Sequence, residues 1–195
     1  DKNGVTEIMN KKEIKLPGEH NVENYLTAIS AVWGLADINT IVKVAREFGG
    51  VEHRIEFVRE LDGVKYYNDS IATSPTRTIA GLKAFNQKLI VLGGGYDKHI
   101  PFAPLAEVLC EKAKTVVLCG ATAKAIADAI ESCPDFASSG LEYVYEPDFY
   151  LAIERAREAA SPGDRVILSP ACASFDMFKN FEERGKKFKE AVNRL

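Results

Sequence analysis

The sequence has no excess of basic residues, no long hydrophobic run and no recognisable leader. Its 25 lysines and arginines are outnumbered by 28 aspartates and glutamates, which gives a net charge of -3. Nucleic-acid-binding domains usually carry a basic excess, so we expect no nucleic-acid partner. No apolar stretch approaches the roughly 18 residues that a membrane span needs, and no signal peptide opens the chain. We therefore expect a cytoplasmic protein without a membrane span.

Clustered cysteines and histidines are also missing. Cys110, Cys119, Cys133 and Cys172 have irregular spacing without a Cys-x-x-Cys pair, and the 3 histidines lie far apart in sequence. Disulfide frameworks and structural zinc sites depend on closer and more regular spacing. We therefore expect reduced, buried thiols and no metal site.

The motifs of several common nucleotide enzymes and hydrolases are absent as well. The sequence contains no Gly-x-x-x-x-Gly-Lys-Ser/Thr phosphate loop, no Gly-x-Gly-x-x-Gly after a strand and no Gly-x-Ser-x-Gly elbow. By themselves, the residues indicate a binding domain, and no complete active site is recognisable.

The composition is that of a folded domain. With 46% apolar and 27% charged residues, the 195-residue chain resembles ordinary globular proteins. A chain of this size buries about 70% of its unfolded surface, so it needs no disulfide or metal to fold.

The first 50 residues have a helical pattern. Apolar residues recur at helical spacing over 21–36 and over 38–48, and Gly49-Gly50 provides a stop signal. Leu16-Pro17-Gly18 leads into the first of these helices. Two such helices cannot close a core alone. We therefore expect these helices to belong to a larger domain that begins upstream of this chain.

From residue 51 onward, strands and helices alternate. Asp62-Gly63 joins two β-prone runs and is the strongest hairpin signal in the chain. The predicted elements are strands over 55–61, 64–68, 88–92, 115–119, 141–145 and 165–168, and helices over 75–85, 104–113, 121–132, 148–159 and 178–192. Continuous apolar strands such as Leu89-Ile90-Val91-Leu92 are typical of buried parallel sheets. The sequence therefore predicts a Rossmann-like α/β domain over 51–195, with a mainly parallel sheet and helices on both faces.

Three unusual segments, 68–73, 93–98 and 169–176, directly follow predicted strands. Because ligands of such folds bind beyond the carboxyl ends of the strands, we expect these segments to lie close together. Their lysine, hydroxyls and adjoining helix N-termini favour an anionic small molecule. Structural explanations remain open, because Thr73 and Ser74 could cap the helix that follows them, Ser174 and Asp176 could cap the last helix, and the three glycines could form only a turn. A carboxylate such as Asp69 could be a solvated turn residue or could hold a ribose.

Four motifs in order closely resemble the Mur ligase family. They are Gly18-Glu19-His20-Asn21-Val22-Glu23-Asn24, His53-Arg54, Asn68-Asp69-Ser70 and the closing stretch 168–185, LSPACASFDMFKNFEERG. The closing stretch is most similar to members that add D-glutamate. Since the family has a UDP-binding, a central ATPase and a Rossmann-like C-terminal domain, the resemblance implies that residues 1–50 end the central domain. Residues 51–195 would then form the C-terminal domain.

The resemblance also implies an activity. It implies an ATP-dependent ligase of peptidoglycan precursor synthesis that joins D-glutamate to UDP-N-acetylmuramoyl-L-alanine through an acyl phosphate. ATP and Mg²⁺ are the implied cofactors, the partners are small molecules, and we expect a monomer. Because the family carries its phosphate loop, carbamylated lysine and magnesium ligands upstream, no catalytic residue or metal ligand is expected in this chain. The fragment alone should therefore be inactive.

Two groups of binding residues follow from the resemblance. Those of the ATP site are Asn21, Asn24, His53, Arg54 and Asp69, and those of the D-glutamate site are Thr73, Lys98, Ser174 and Phe181. Lys98 would pair with a carboxylate, and Thr73 and Ser174 would donate hydrogen bonds. Phe181 would act through its ring or its backbone. Ile71 stands where the family commonly has a lysine, and Ser74 where an asparagine often follows the threonine.

Two other functions remain open at this stage. A sibling Mur ligase would add a different amino acid, although the Ala-Cys-Ala-Ser-Phe-Asp stretch argues against it. A noncatalytic nucleotide-binding module would be favoured if the native protein began near Asp1.

Overall fold

A computed structural model of the protein describes residues 4–16 and 19–195. Pro17 and Gly18, in the predicted lead-in to the first helix, lie outside the described residues. The chain divides into two compact units, Asp1–Gly50 and Val51–Leu195.

The first unit is helical. It contains a short 3-10 helix over Lys11–Glu13, helix α1 over Glu19–Val32 and helix α2 over Ile38–Glu47. The prediction that the first helix reaches residue 36 is wrong, because the backbone turns into the left-handed region at Gly34 (φ +83°). Asp37 begins α2 by accepting the N–H of Thr40 at 3.0 Å.

The second unit is built on one sheet. Its strands are β1 (Glu56–Leu61), β2 (Val64–Asn68), β3 (Leu89–Gly93), β4 (Ala113–Leu118), β5 (Glu142–Tyr145) and β6 (Arg165–Leu168). They lie in the order β1-β2-β6-β3-β4-β5. Only the β1–β2 pair is antiparallel, and it is joined by Asp62 (φ +52°) and Gly63 (φ +77°). The predicted hairpin is confirmed, since two left-handed residues suit a two-residue turn between strands.

Helices cover both faces of this sheet. They are α3 (Pro75–Lys83), α4 (Ala103–Lys112), α5 (Ala123–Glu131), α6 (Phe136–Ser139), α7 (Phe149–Glu158) and α8 (Phe181–Val192). Leu89 and Val91 of β3 pack in a core with α3, α4 and α5, whereas Ile90 and Leu92 pack in a second core with α7 and α8. The strand alternates between two buried faces, which confirms the predicted α/β fold class.

The last helix begins later than predicted. It was expected from residue 178, but it begins at Phe181 because the Asn180 side chain accepts the N–H of Glu183 at 2.8 Å. Phe178 instead packs against Phe149, with the ring centroids 4.9 Å apart. The four-residue helix α6 was not predicted from the sequence. Its length is too short to give a periodic apolar pattern.

The strand order determines where a ligand site can lie. β2, β6 and β3 are adjacent and parallel, so their carboxyl ends meet at one edge of the sheet. Among residues 4–16 and 19–195, no helix combines the length and apolar character that crossing a membrane requires.

Candidate functional site

The three segments singled out in the sequence meet at the carboxyl edge of the sheet. We call them the β2 loop (69–74), the β3 loop (94–102) and the β6 loop (169–180). The Asp69 N–H donates to the carbonyl of Leu168 at 2.8 Å, and the Gly94 N–H donates to that of Pro170 at 2.8 Å. Backbone hydrogen bonds therefore tie the β6 region to both neighbouring loops.

The glycines of the β3 loop are required by close packing. Gly94 (φ +108°) and Gly95 (φ +147°) have left-handed backbones that other residues rarely adopt. A Cβ at Gly94 would lie 1.9 Å from the Cys119 carbonyl oxygen, and one at Gly95 would lie 2.3 Å from that of Ala173. The glycines thus have a structural role, because Gly94 lets the β3 loop pass close to the residue that follows β4 and Gly95 lets it pass close to the β6 loop.

Lys98 and Thr73 are neighbours. The Lys98 ammonium, which is exposed, donates to the backbone carbonyl of Thr73 at 3.0 Å. Of the two residues expected to cap α3, Ser74 occupies the cap position, whereas the explanation of Thr73 as a cap is wrong. The structure therefore brings an exposed cation next to a threonine at the boundary of the β2 and β3 loops.

Ser174 is buried in the β6 loop. Its backbone carbonyl accepts the N–H groups of Met177 and Phe178 at 3.0 and 2.8 Å, forming a tight turn. The explanation of Ser174 as a cap of the last helix is wrong, because Asn180 caps α8. The N–H of Tyr96 donates to Ala173 at 2.9 Å, so Ser174 follows directly on the contact between the β3 and β6 loops.

Phe181 contacts the rest of its unit through both its backbone and its ring. Its carbonyl accepts the hydroxyl of Ser70 at 2.8 Å. Its ring meets the His53 ring edge-on, with centroids 5.9 Å apart. Phe181 thus connects the start of α8 to the β2 loop.

His53 is a buried residue with a left-handed backbone (φ +65°). Its Nδ1 lies 2.8 Å from the amide nitrogen of Asn68, and burial lowers the pKa of the imidazole. A Cβ at Gly185 would lie 2.2 Å from that Nδ1, so a glycine is needed there for α8 to pack against the ring. Arg54, the next residue, is exposed, and within residues 51–195 its guanidinium forms no hydrogen bond or ion pair, although its charge acts on the nearby Asp69 carboxyl.

Asp69 faces inward and is 3% exposed. Its carboxylate accepts the Ser169 hydroxyl at 2.8 Å and the Ile55 N–H at 3.3 Å. Burial raises the pKa of Asp69 to about 7. The explanation of Asp69 as a solvated turn residue is therefore wrong, and in this conformation the carboxylate links the β2 and β6 loops.

Asn21 and Asn24 lie one helical turn apart on α1 in the first unit. The side-chain amide of Asn24 donates to the Asn21 side-chain oxygen at 3.3 Å. Asn21 is buried and Asn24 is exposed. The structure brings these two predicted residues together as a pair.

One further buried cation was not assigned a role from the sequence. Arg184 is 1% exposed and donates to the backbone carbonyls of Ser70, Cys172 and Ala173. A lone arginine in an amphipathic helix is usually solvated, so the helical pattern does not indicate a buried arginine. Only its place in the closing stretch sets Arg184 apart in the sequence.

One group of side chains has the spacing of a metal site. Glu52, His53 and Glu56 offer ligand atoms within 4.8 Å of one another. However, the Lys189 ammonium lies 2.7 Å from Glu52 and 2.9 Å from Glu56, so a protein cation already neutralises both carboxylates. This donor set fits an ion-pair network better than a metal centre.

The edge is suited to binding anions rather than to nucleophilic catalysis. Lys98 and Arg54 supply exposed positive charge beside the loops, and the hydroxyls of the β2 and β6 loops supply hydrogen bonds. Burial raises the pKa of Cys119 to about 12 and that of Cys172 to about 11, so these thiols are unreactive. All 4 cysteines are free and buried, as predicted.

Comparison with known proteins identifies the family. The pattern of the family described as "Mur ligase, glutamate ligase domain" matches residues 53–172, more than half of the chain. A UDP-N-acetylmuramoylalanine--D-glutamate ligase of Clostridium novyi is 56% identical over 189 residues, and the enzyme of that name from Acetivibrio thermocellus is 53% identical over 192. The alignments cover 97% of this chain and 41% of each relative, so the chain spans about two fifths of their length.

Solved structures share the fold. The UDP-N-acetylmuramate-alanine ligase of Thermotoga maritima matches with a TM-score of 0.66 and 20% identity, over 93% of this chain and 39% of that one. A folylpolyglutamate synthase of Mycobacterium tuberculosis matches with a TM-score of 0.62 and 17% identity, over 89% of this chain and 41% of that one. With the family pattern matched over most of the sheet unit, the chain belongs to the Mur ligase family.

Proposed function

We propose that this chain is the C-terminal part of an ATP-dependent ligase that adds D-glutamate to UDP-N-acetylmuramoyl-L-alanine in peptidoglycan precursor synthesis. On this proposal residues 1–50 end the central ATPase domain, and residues 51–195 form the C-terminal domain. The protein would act as a cytoplasmic monomer on small-molecule substrates. ATP and Mg²⁺ would be its cofactors.

The observation that carries the proposal is the contact between Lys98 and Thr73 at the carboxyl edge of the sheet. An exposed ammonium there lies beside a half-buried threonine and close to the chain that carries Ser174. D-glutamate has two carboxylates, which require cations and hydrogen-bond donors. The relatives at 53–56% identity are named as D-glutamate ligases, which supports D-glutamate over other amino acids.

In the proposed D-glutamate site, Lys98 pairs with a carboxylate. Thr73 and Ser174 donate hydrogen bonds to the carboxylates from neighbouring loops. Because the ring of Phe181 packs on His53 and its carbonyl accepts from Ser70, we assign its contribution to its backbone N–H at the start of α8.

In the proposed ATP site, Asn21 and Asn24 contact adenine, since an amide can both donate to and accept from the base edge. Arg54 contacts the phosphates, and its exposed guanidinium, which makes no hydrogen bond within residues 51–195, suits that role. The ribose contact proposed for Asp69 requires its carboxylate to exchange the Ser169 hydroxyl for a ribose hydroxyl. His53 is proposed for the same ribose–phosphate region as Arg54, at the junction between the central and the C-terminal domain.

The proposed reaction consists of two transfers. ATP transfers its γ-phosphoryl group to the carboxylate of UDP-N-acetylmuramoyl-L-alanine, and this gives an acyl phosphate and ADP. The amine of D-glutamate, after losing a proton, then attacks the acyl carbon, and phosphate leaves with the electron pair of the C–O bond. The residues of this chain bind and orient the amine donor, which converts a bimolecular attack into one between held groups.

Magnesium would neutralise phosphate charge during the transfer. The described residues of this chain supply no suitable ligand set, because the one acidic cluster is held by Lys189. We therefore propose that the magnesium ligands, the phosphate loop and the carbamylated lysine lie in other parts of the ligase. Residues 1–195 expressed alone should accordingly form no ADP from ATP.

The test is phosphate release by the full-length protein with ATP, Mg²⁺ and UDP-N-acetylmuramoyl-L-alanine. D-glutamate, L-glutamate, L-lysine and meso-diaminopimelate would be compared as amine donors. We expect release only with D-glutamate. Release with a different amino acid would favour a sibling ligase, and the absence of turnover with all four would favour a noncatalytic module.

A further inference from the structure

Arg184 is a charged side chain in a position where charges are rarely found. It lies in the first turns of α8, is 1% exposed, and is among the largest fully buried side chains of the described chain. Arginine is almost never fully buried unless it is paired with an acid. The partners of this guanidinium therefore determine its role.

All hydrogen-bond acceptors of the guanidinium are uncharged. Nε donates to the Ser70 hydroxyl at 3.0 Å, and Nη2 donates to the Ser70 carbonyl at 2.9 Å. Nη2 also donates to the carbonyl of Cys172 at 3.1 Å, and Nη1 donates to that of Ala173 at 3.3 Å. One planar group thus holds the β2 loop and the β6 loop in a fixed relation.

The β3 loop reaches the same group. A Cβ at Gly95 would lie 3.3 Å from Nη1 of Arg184, so the glycine backbone passes directly beside the guanidinium. The three loops that carry Thr73, Lys98 and Ser174 therefore all pack around Arg184 or its hydrogen-bond partners.

No acid forms an ion pair with Arg184 within its own unit. Among residues 51–195, no carboxylate lies within ion-pair distance of the guanidinium. Asp176 influences the guanidinium electrostatically, but its carboxylate accepts the Ala121 N–H at 3.1 Å. Burial lowers the pKa of Arg184 to about 10, so the side chain still carries its charge at neutral pH.

A buried cation without an ion-pair partner raises the electrostatic potential at the nearby surface, because the protein interior screens charge weakly. The nearest surface here is the edge formed by the three loops. We propose that Arg184 is a positioning residue of the amino-acid site, which clamps the β2 loop to the β6 loop and attracts the dianionic amino acid with its unpaired charge. The identity of the anion rests on the proposed function, whereas the clamp between the two loops does not.

The test separates the clamp from the charge with two variants of the full-length protein. Arg184→Lys keeps the charge and loses the planar fork, whereas Arg184→Gln loses both. Lys186→Gln is the control, because it removes an exposed cation from the same helix. We measure amide hydrogen exchange of residues 69–74 and 170–176, and the KM values for D-glutamate and for ATP.

We expect faster exchange in both loops for both Arg184 variants and no change for Lys186→Gln. We expect Arg184→Gln to raise the KM for D-glutamate at least about tenfold more than the KM for ATP, and Arg184→Lys to restore most of that loss. If amide hydrogen exchange of residues 69–74 and 170–176 were the same in Arg184→Lys as in the wild type, the proposal of a clamp would be overturned. Equal increases of both KM values in Arg184→Gln would overturn the charge effect.

The exchange measurement also stands if the proposed function fails. If the wild-type protein does not use D-glutamate, the proposed function is wrong, yet loop exchange in the variants still decides whether Arg184 acts as a clamp. If Arg184→Gln does not fold, loop exchange in Arg184→Lys still decides the clamp, and Arg184→Met, which also removes the charge, takes the place of Arg184→Gln in the KM comparison.

Discussion

The interior of the sheet and its carboxyl edge are buried to a similar degree but differ in chemistry. The interior is formed by apolar strands, and β3 is buried at every position from Leu89 to Gly93. The edge buries polar and charged groups instead: His53, Asn68, Asp69, Ser70, Thr78, Thr122, Ser169, Ser174 and Arg184. Thr115 in β4 is the exception in the sheet unit.

This difference indicates which part of the unit depends on apolar packing and which depends on directed hydrogen bonds. Apolar burial stabilises a fold without fixing directions, whereas each buried polar group needs a partner in a defined place. No buried side-chain nitrogen or oxygen among the described residues lacks a hydrogen-bond partner. The polar network therefore holds the loops at the edge in one arrangement, as a preorganised site requires.

The largest effect is expected in the interior. Leu92→Ala removes a side chain that is 0% exposed between β3 and the α7–α8 layer, and it should lower the free energy of unfolding by about 2–5 kcal/mol. Urea unfolding of the purified protein measures this. In the full-length protein carrying Leu92→Ala, the KM for D-glutamate should stay unchanged at a temperature where the variant is folded. A large rise in that KM would contradict the separation of interior and edge.

The second effect is a pH dependence at the edge. The pKa of Asp69 is raised from 3.8 to about 7, so folding favours its protonated form. Its stabilising contribution is complete below about pH 4 and is lost as the pH rises to about 7. The unfolding free energy of the wild type relative to Asp69→Asn should therefore fall across that range. Asp135→Asn is the control, because Asp135 is exposed. If the difference in unfolding free energy between wild type and Asp69→Asn did not change with pH, the raised pKa of Asp69 would be refuted.

The third effect concerns ligand binding rather than stability. In the full-length protein, Lys98→Ala should raise the KM for D-glutamate by roughly 10- to 150-fold, because a charged hydrogen bond is lost, while the KM for ATP stays constant. Lys88→Ala is a matched control, since Lys88 is also exposed and also donates to a backbone carbonyl, that of Ser139. Equal effects on both substrates would remove Lys98 from the amino-acid site.

The smallest effect is expected at the start of α8. Asn180→Ala removes the side-chain acceptor for the Glu183 N–H and should lower the free energy of unfolding by about 1 kcal/mol. Asn180→Ser preserves a capping oxygen and should restore most of that loss. Thermal unfolding of both variants gives the comparison, and equal stability of Asn180→Ala and wild type would show that the cap does not determine where α8 begins.

The interior could be predicted from the sequence more fully than the edge. Continuous apolar strands, Asp62-Gly63 and the strand–helix alternation indicated the sheet, because hydrophobic periodicity depends only on nearby residues. The segments of the edge could also be located, since they follow strands. Their internal contacts could not, because the partners of Asp69 and Arg184 lie 100 and 114 residues away in Ser169 and Ser70. Local patterns carry no information on such pairings.

The most direct test of the account is a crystal structure of the full-length protein with D-glutamate and ADP. We expect one carboxylate of D-glutamate within hydrogen-bond distance of the Lys98 ammonium, with Thr73 and Ser174 around the molecule and Arg184 beneath the loops. D-glutamate bound away from the carboxyl edge of this sheet would contradict the central claim.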